Sequence, residues 1–582
     1  MTTTAAPRRD RLRIARARLE QRSALATIGA LCLLSAVAFT LLYRKGVGTT
    51  FYYDEWNFLM NRRDWTLGTF LEPHNEHLSL VPITIYKVLF VTVGIDDYEP
   101  YRVAVILVHL LCVGLLFALA RRRVGDLLAV IVSVPILFLG TAWQDLLWPF
   151  QLGYLVSTAA GLGMLLALDR PTVLAEVVAC VLIAVALASS SIGIAVVVLA
   201  LVELLARRAP WRRLWVVGVP IVLYALWSLG YGNPRAAPGA QDGLWPLLRQ
   251  NVPDTPGYVA SSAAGAFGAL TGWGIDWGRP LAILAALGLA LWFVSGRPFT
   301  PRAVAVLAAA AAYWGLGGLF RAQLNLPDQS RYLYFGAILI VLLGVELLSG
   351  VWLPTRAVAL IGALALIFSI SNFGPLQDGA HGLQATAGLL SPRLGALELV
   401  GRTSDPAYRP SPDLAPDITA GAYFDTVAEL GSPADSPDEI ADRLDPERQG
   451  ADAVLVEALP VRLEPAPSRP PPGNRPLIQA VVAGEVGARP GCVTLRPTGP
   501  GATLDVTAPP AGVAIATSGA APAEVRVRRF ADTFPQQALG TVGPRSVAVL
   551  RIPDRPDIGP WQVRLSPTEP VGVCGLTGRS SR

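Results

Sequence analysis

The sequence predicts an α-helical polytopic membrane protein of about eleven transmembrane helices that ends in an extracytoplasmic β-sandwich. Three observations predict this fold class. Of 582 residues, 52% are hydrophobic and only 16% charged, against roughly a quarter charged in a soluble domain. Apolar runs close to the roughly 20 residues that cross a hydrocarbon core recur down to about residue 372. Beyond that point the runs shorten and alternate, and prolines and acids appear.

Residues 1–23 form a basic segment with seven arginines, which holds the amino terminus in the cytoplasm. The first span is about 24–43. A cleaved signal peptide is the competing reading, set aside because the run is long and no small-x-small site precedes Arg44 and Lys45. Further spans read as about 101–120, 126–142, 151–168, 172–188, 191–206, 214–231, 280–296, 302–320, 332–350 and 356–372, so the transmembrane domain is 24–372. The arginine-rich turns at 121–123, 207–213 and 297–302, with Arg356, all fall on the side of the amino terminus. An odd number of spans leaves the carboxyl terminus outside. Two segments stand apart. Residues 81–94 are apolar but short and read as a helix at the outer interface. Residues 257–274 are rich in small residues and read as re-entrant or as a true span; a span there would invert every later orientation.

The net charge of +5 is almost all arginine, with lysine only at 45 and 87. The arginines cluster between apolar runs, which suits membrane topology and gives no nucleic-acid-binding surface. Residues 373–475 read as an extracytoplasmic helical and linker region. In it Ser436, Pro437 and Glu439 compose a capping-box helix start, and 465–476 is a stiff proline-rich linker. Eight short alternating runs follow over 476–582 and predict the β-sandwich. Cys492 and Cys574 fall in the second and last of these, so a disulfide between them is possible in an oxidising compartment. Cys32, Cys112 and Cys180 lie in apolar runs as packing residues.

On the predicted outer side, polar residues gather at span ends in four groups: Asp54 and Glu55 with His74, Asn75, Glu76 and His77; Gln144, Asp145, Trp148 and Gln151; Ser189, Ser190 and Ser191; and Arg321, Asp328, Arg331 and Tyr332. The turns on the other side carry arginine and little else. That asymmetry points to a working cavity facing outward. Each group has a plainer structural reading: a solvated loop start for Asp54 and Glu55, an interfacial anchor for Arg331, belt aromatics for the tryptophans and tyrosines, and tight helix packing for the serines. His74 and His77, if helical, share one face at i and i+3. With Asp54 or Glu76 they could hold a divalent metal.

The acidic pair in "YDEW" just after the first span, the long first outer loop over 44–100, and "SRYLY" late in the membrane domain resemble the C-type membrane glycosyltransferases. These include the protein mannosyltransferases, lipid A aminoarabinose transferases and arabinosyltransferases. "HNEHLSLVP" departs from the stretch that better-known members carry there. The resemblance implies transfer of a sugar from a polyprenyl-phosphate donor to a cell-envelope glycan, lipid or protein on the outer face, inverting at the anomeric carbon. Asp54 and Glu55 would be the catalytic pair, Asp54 as the general base and Glu55 positioning the acceptor or sharing that role. Arg331 would pair the lipid phosphate. His74, Glu76, His77, Tyr332 and Gln151 would bind substrate. No cofactor is required, and a divalent metal ion is an option.

Two other functions share parts of this pattern. A transporter or flippase of lipid-linked saccharides would place ionisable groups in broken helices at the membrane midplane. A polymerase or ligase would face a pyrophosphate leaving group and call for more cations or a metal. A scaffold using the membrane part only as an anchor needs far fewer spans.

Overall fold

The computed structural model describes residues 6–232, 243–553, 555 and 558–577, with side chains from residue 24 onward. Residues 1–5 and the side chains of 6–23, the segment predicted to hold the amino terminus in the cytoplasm, lie outside that description. The chain divides into two compact units. One runs to Val47 and takes in Asn61–Val93 and Asp97–Gln384; the other comprises Gly48–Met60, Gly94–Asp96 and the chain from Ala385.

The first unit is helical, and each of the eleven predicted apolar runs lies on a helix. Among the described residues eight helices are long and apolar enough to cross a membrane, nine if the bent pair Asp126–Leu137 and Gly140–Leu147 is one span. The shortfall from eleven is one of length. Val173–Leu187 and Ile192–Ala206 have 15 residues each, about 22 Å at 1.5 Å per residue, against a core of about 30 Å.

The arginine turns do lie together. Arg302 is 2% exposed and donates to Glu203 Oε1 at 2.7 Å and Asp169 Oδ1 at 2.9 Å. Arg207 and Arg122 also reach Asp169, at 2.9 and 3.2 Å. Arg123 pairs with Glu346 at 2.8 Å, and Thr300 donates to the same carboxylate. Three predicted turns thus meet at one end of the unit, and what holds them is a set of acids that the expectation of arginine "and little else" overlooked.

The ambiguous segment is the helix Thr255–Thr271. At its start, Asp254 meets Gln323, and Asn251 just upstream donates to Leu319 O at 2.8 Å. At its far end Ala269 O accepts from Thr141 and Asn372. Leu319, Gln323, Thr141 and Asn372 all lie at or just beyond the far ends of helices that begin beside the arginines. Both ends of Thr255–Thr271 therefore lie at the end of the unit away from the arginines, and the helix does not run from one end of the unit to the other. Close packing permits it: a Cβ at Gly278 would come within 1.8 Å of Ala264 O. The helix Leu80–Val93 also lies at that end, with Val81 N–H donating to Ala188 O at 3.0 Å.

The second unit opens with the short helix Glu55–Asn61, whose Trp56 is fully buried against Tyr423 at 5.7 Å between ring centroids. Tyr53 N–H donates to Leu414 O at 3.1 Å. "YDEW" is thus packed into the post-membrane region, and the predicted loop 44–100 divides between the two units. Ser436 caps Pro437–Asp442 with the full capping box to Glu439.

The strands are β1 Arg462–Ala466, β2 Leu477–Val482, β3 Gly484–Arg489, β4 Cys492–Pro497, β5 Thr503–Thr507, β6 Gly512–Thr517, β7 Ala523–Arg528, β8 Gly540–Val542, β9 Val547–Arg551, β10 Gln562–Pro567 and β11 Val571–Gly575. They form two antiparallel sheets, ordered β1-β9-β6-β11-β4-β3 and β2-β5-β10-β7-β8. Val493, Leu495, Leu504, Val506, Ile515, Val525, Val563 and Val573 alternate inward and are at most 3% exposed. β1 begins ahead of residue 476, where the sandwich was expected to start, and ends inside the stretch expected to be linker. Cys492 and Cys574 are bridged, directly opposite one another on neighbouring β4 and β11. The sheets are tied to the preceding helix Asp445–Ala458 by Asp452, whose carboxylate accepts from the amides of Arg529, Phe530 and Ala531 at 2.7–3.1 Å.

Candidate active site

"HNEH" forms no helix turn. His74 and His77 exchange both backbone hydrogen bonds at 3.0 Å, closing a tight hairpin, and Asn75 takes a left-handed φ of 53°. Asn tolerates that region better than most residues, and Pro73 just before it disfavours a helical Glu72. The approach is fixed by Arg62, 5% exposed, whose guanidinium donates to the carbonyls of Thr69, Glu72 and Pro73 at 2.9–3.2 Å. The two histidines therefore stand on the two sides of a turn, and the condition for a shared helical face is not met. The turn tip carries Glu76 toward Arg321, at the end of Pro301–Arg321, and the two form an ion pair.

This hairpin borders a cavity of about 260 Å³ within the first unit. Its wall includes Glu76, His77, Arg321 and Tyr332 and four further tyrosines: Tyr154, Tyr224, Tyr258 and Tyr313. Four of the predicted site residues thus meet around one space or beside it: Glu76, His77 and Tyr332 in the wall, and Arg331 next to Tyr332, its guanidinium 5.2 Å from that ring. Arg331 is further held by its amide to Gln144 Oε1 at 3.1 Å and by Nη2 to Asn325 Oδ1 at 3.2 Å. Gln144 N–H in turn donates to Ser330 Oγ at 3.1 Å. His74 lies behind the wall, edge-on to Phe150 at 5.4 Å. Gln151 is 3% exposed in the turn Pro149–Gln151, outside the wall.

Two polar atoms of the wall lack hydrogen-bond partners among the described residues: Glu76 Oε2 and Arg321 Nη1. The Asp145 carboxylate, fully buried on the helix Trp143–Leu147, also has neither oxygen bonded. It lies within the field of Arg331. A cavity wall of aromatic rings with a few polar side chains suits a polyhydroxylated ligand. The four additional tyrosines carried no sequence signal, because they come from four helices and no motif joins them. Ser189 and Ser190 serve packing, donating to Val185 O and Ser157 Oγ at 2.6 and 3.0 Å.

In the second unit, Glu55 is fully buried and accepts from the Tyr52 amide at 3.2 Å, closing the turn that carries half-buried Asp54. Tyr53 within that turn has φ 53°.

Burial holds both His74 and His77 far below the ordinary 6.5, at about 4, and for His74 the positive charge of Arg62 adds to it. Both rings are neutral at pH 7. With folded values below the unfolded one, the unfolded chain binds more protons between pH 6.5 and 4, so stability falls as pH drops through that window. The unfolding temperature of detergent-solubilised protein should fall over that range, and His74→Asn/His77→Asn should flatten the slope. Among the described residues no three His, Cys, Asp or Glu side chains converge as metal ligands, so no step below is routed through a metal.

No protein-family model matches the chain, and no curated protein matches it. Among solved structures it is similar to ArnT from Cupriavidus metallidurans bound to undecaprenyl phosphate, at 16% identity and TM-score 0.45, covering 70% of this chain and 85% of that one. It is similar to the Archaeoglobus fulgidus oligosaccharyltransferase in complex with Zn and sulfate, at 14% identity and TM-score 0.36, covering 69% and 58%. It is also similar to the arabinosyltransferase EmbB from Mycobacterium smegmatis, at 11% identity and TM-score 0.31, covering 93% and 64%. Residue roles do not transfer at such identities.

Proposed function

We propose that this chain is a membrane glycosyltransferase that moves a sugar from a polyprenyl-phosphate donor to a cell-envelope acceptor on the outer face of the membrane, inverting at the anomeric carbon. The observation that carries the reading is the cavity of the first unit. Its tyrosine wall suits the faces of a sugar ring, and Glu76, His77 and Arg321 in the same wall supply polar groups for hydroxyls. The names of the three similar structures accord with the reading, which does not rest on them. The Cys492–Cys574 bridge suits a second unit in an oxidising, extracytoplasmic compartment.

In this reaction the acceptor hydroxyl attacks the anomeric carbon, the bond to the phosphate oxygen breaks, and the hydroxyl proton passes to a carboxylate. The sequence pattern assigns that proton to Asp54, with Glu55 fixing the turn that presents it. Arg331 pairs the departing lipid monophosphate. Gln144 accepts from the Arg331 amide and Asn325 from its guanidinium, which fixes its position. His77 and Tyr332 contact the sugar, and Asp145 balances the charge of Arg331 in the absence of phosphate.

Arg331→Gln tests this reading. It should raise KM for a labelled polyprenyl-phosphate sugar by about 10- to 100-fold, the worth of a charge-assisted hydrogen bond, with smaller change for the acceptor. Equal loss toward both substrates would remove Arg331 from phosphate binding. One observation favours a second reading, a flippase. The bent pair carrying Asp145 is a discontinuous segment with a buried carboxylate, as transporters use. Movement of the intact donor across vesicle bilayers without release of free carrier phosphate would select it.

A further inference from the structure

β3 is the last strand of its sheet and pairs only with β4. Its sequence, Gly-Glu-Val-Gly-Ala-Arg over 484–489, carries no proline, and every residue after Gly484 is exposed. An uncovered strand edge of this kind is a ready template for pairing, and isolated chains usually blunt it with lysines, proline or a covering loop. β3 has no lysine, its proline comes only after its end at Pro490, and its two charges, Glu485 and Arg489, are of opposite sign.

The faces of β3 follow from its register. Val486 and Ala488 oppose Leu495 and Val493, which are fully buried, so they point to the core side of the sheet. Both are nevertheless exposed, Val486 at 36%, because the strand overhangs the core. Glu485, Gly487 and Arg489 point to the other side, opposite Arg496, Thr494 and Cys492. Neither Glu485 nor Arg489 has an ion pair among the described residues. β2, the edge strand of the other sheet, ends two residues before β3 at Val482, which is 55% exposed.

The strand is complementary to itself. Turned antiparallel about Gly487, it sets Glu485 opposite Arg489 of a second strand and Arg489 opposite Glu485. Val486 then meets Ala488 and glycine meets glycine. Residues directly opposite share a face, so the charges meet on the outer side and the apolar pairs on the core side. We propose that β3 is a self-association edge: two copies of this chain pair β3 to β3 across a two-fold axis, joining their six-stranded sheets into one. An isologous contact of this kind closes on itself and makes a dimer, with no filament.

The test uses the full chain in detergent, with mass read by light scattering. The wild type should be a dimer. Glu485→Arg and Arg489→Glu each set two like charges face to face twice in the dimer, and each should raise its dissociation constant roughly tenfold or more. The double variant Glu485→Arg/Arg489→Glu restores opposite charges and should restore the dimer. Gly487→Cys should give a disulfide-linked dimer on oxidation, because the axis passes between the two copies of that residue. A monomeric wild type, single variants that dimerise as well as wild type, or a double swap no better than the singles would each overturn the proposal. A wild type that captures a different protein and never its own copy would also overturn it.

Discussion

Asp54→Asn is expected to lower sugar transfer by about 10²- to 10⁴-fold, the usual worth of a general base, with an unfolding temperature close to that of the wild type. The turn that carries Asp54 is held by other groups. Glu55 accepts from the Tyr52 amide, the Tyr53 amide reaches Leu414, and Trp56 is fully buried against Tyr423. These contacts keep the turn in place when the amide replaces the carboxylate, and the amide cannot take up the proton. The loss should fall on kcat and kcat/KM alike, as for an interaction made in the transition state. Transfer within a few-fold of wild type would take the role of base away from Asp54.

The second large effect is on stability. Arg302→Ala should destabilise the membrane unit by about 3–5 kcal/mol, the cost of breaking a buried ion pair from one side. The Arg302 guanidinium holds Glu203, itself 0% exposed, together with Asp169 and the carbonyl of Leu165. Among the described residues that leaves the buried Glu203 carboxylate paired with Arg207 alone, at 2.5 Å, and the Arg207 side chain is 28% exposed. Arg302→Lys should recover only part of the loss, since an ammonium cannot fork to two carboxylates. Unfolding of the alanine variant within about 0.5 kcal/mol of wild type, the range of an ordinary surface change, would show that the acids find other partners.

Much of the architecture was legible because it is periodic. The apolar runs all lie on helices, and the eight alternating runs of the C-terminal region are all strands. Strands β1, β3 and β8 were hidden by composition and length. β1 contains Pro465, β3 has two glycines in six residues, and β8 has three residues. The hairpin at His74–His77 left no signal in the sequence because its deciding feature, a left-handed Asn75, is a single backbone angle rather than a pattern.

The site was legible only where polar residues are adjacent in the chain. Glu76, His77, Arg331 and Tyr332 stood out as interruptions at span ends. Tyr154, Tyr258 and Tyr313 did not, since each sits singly on an apolar helix and reads as a belt or packing residue. The carboxylates that tie the arginine turns were missed for the same reason. Asp169 and Glu203 meet Arg302 from 133 and 99 positions away. Charge clustering along the sequence gave the correct grouping of the turns and no view of their partners.

The most direct test supplies purified protein in sealed vesicles with a polyprenyl-phosphate sugar labelled in the sugar, together with envelope extract as acceptor. The account predicts that label moves to the acceptor while free polyprenyl phosphate appears in equal amount. Label that crosses the bilayer still joined to its carrier, with no polyprenyl phosphate released, would contradict it.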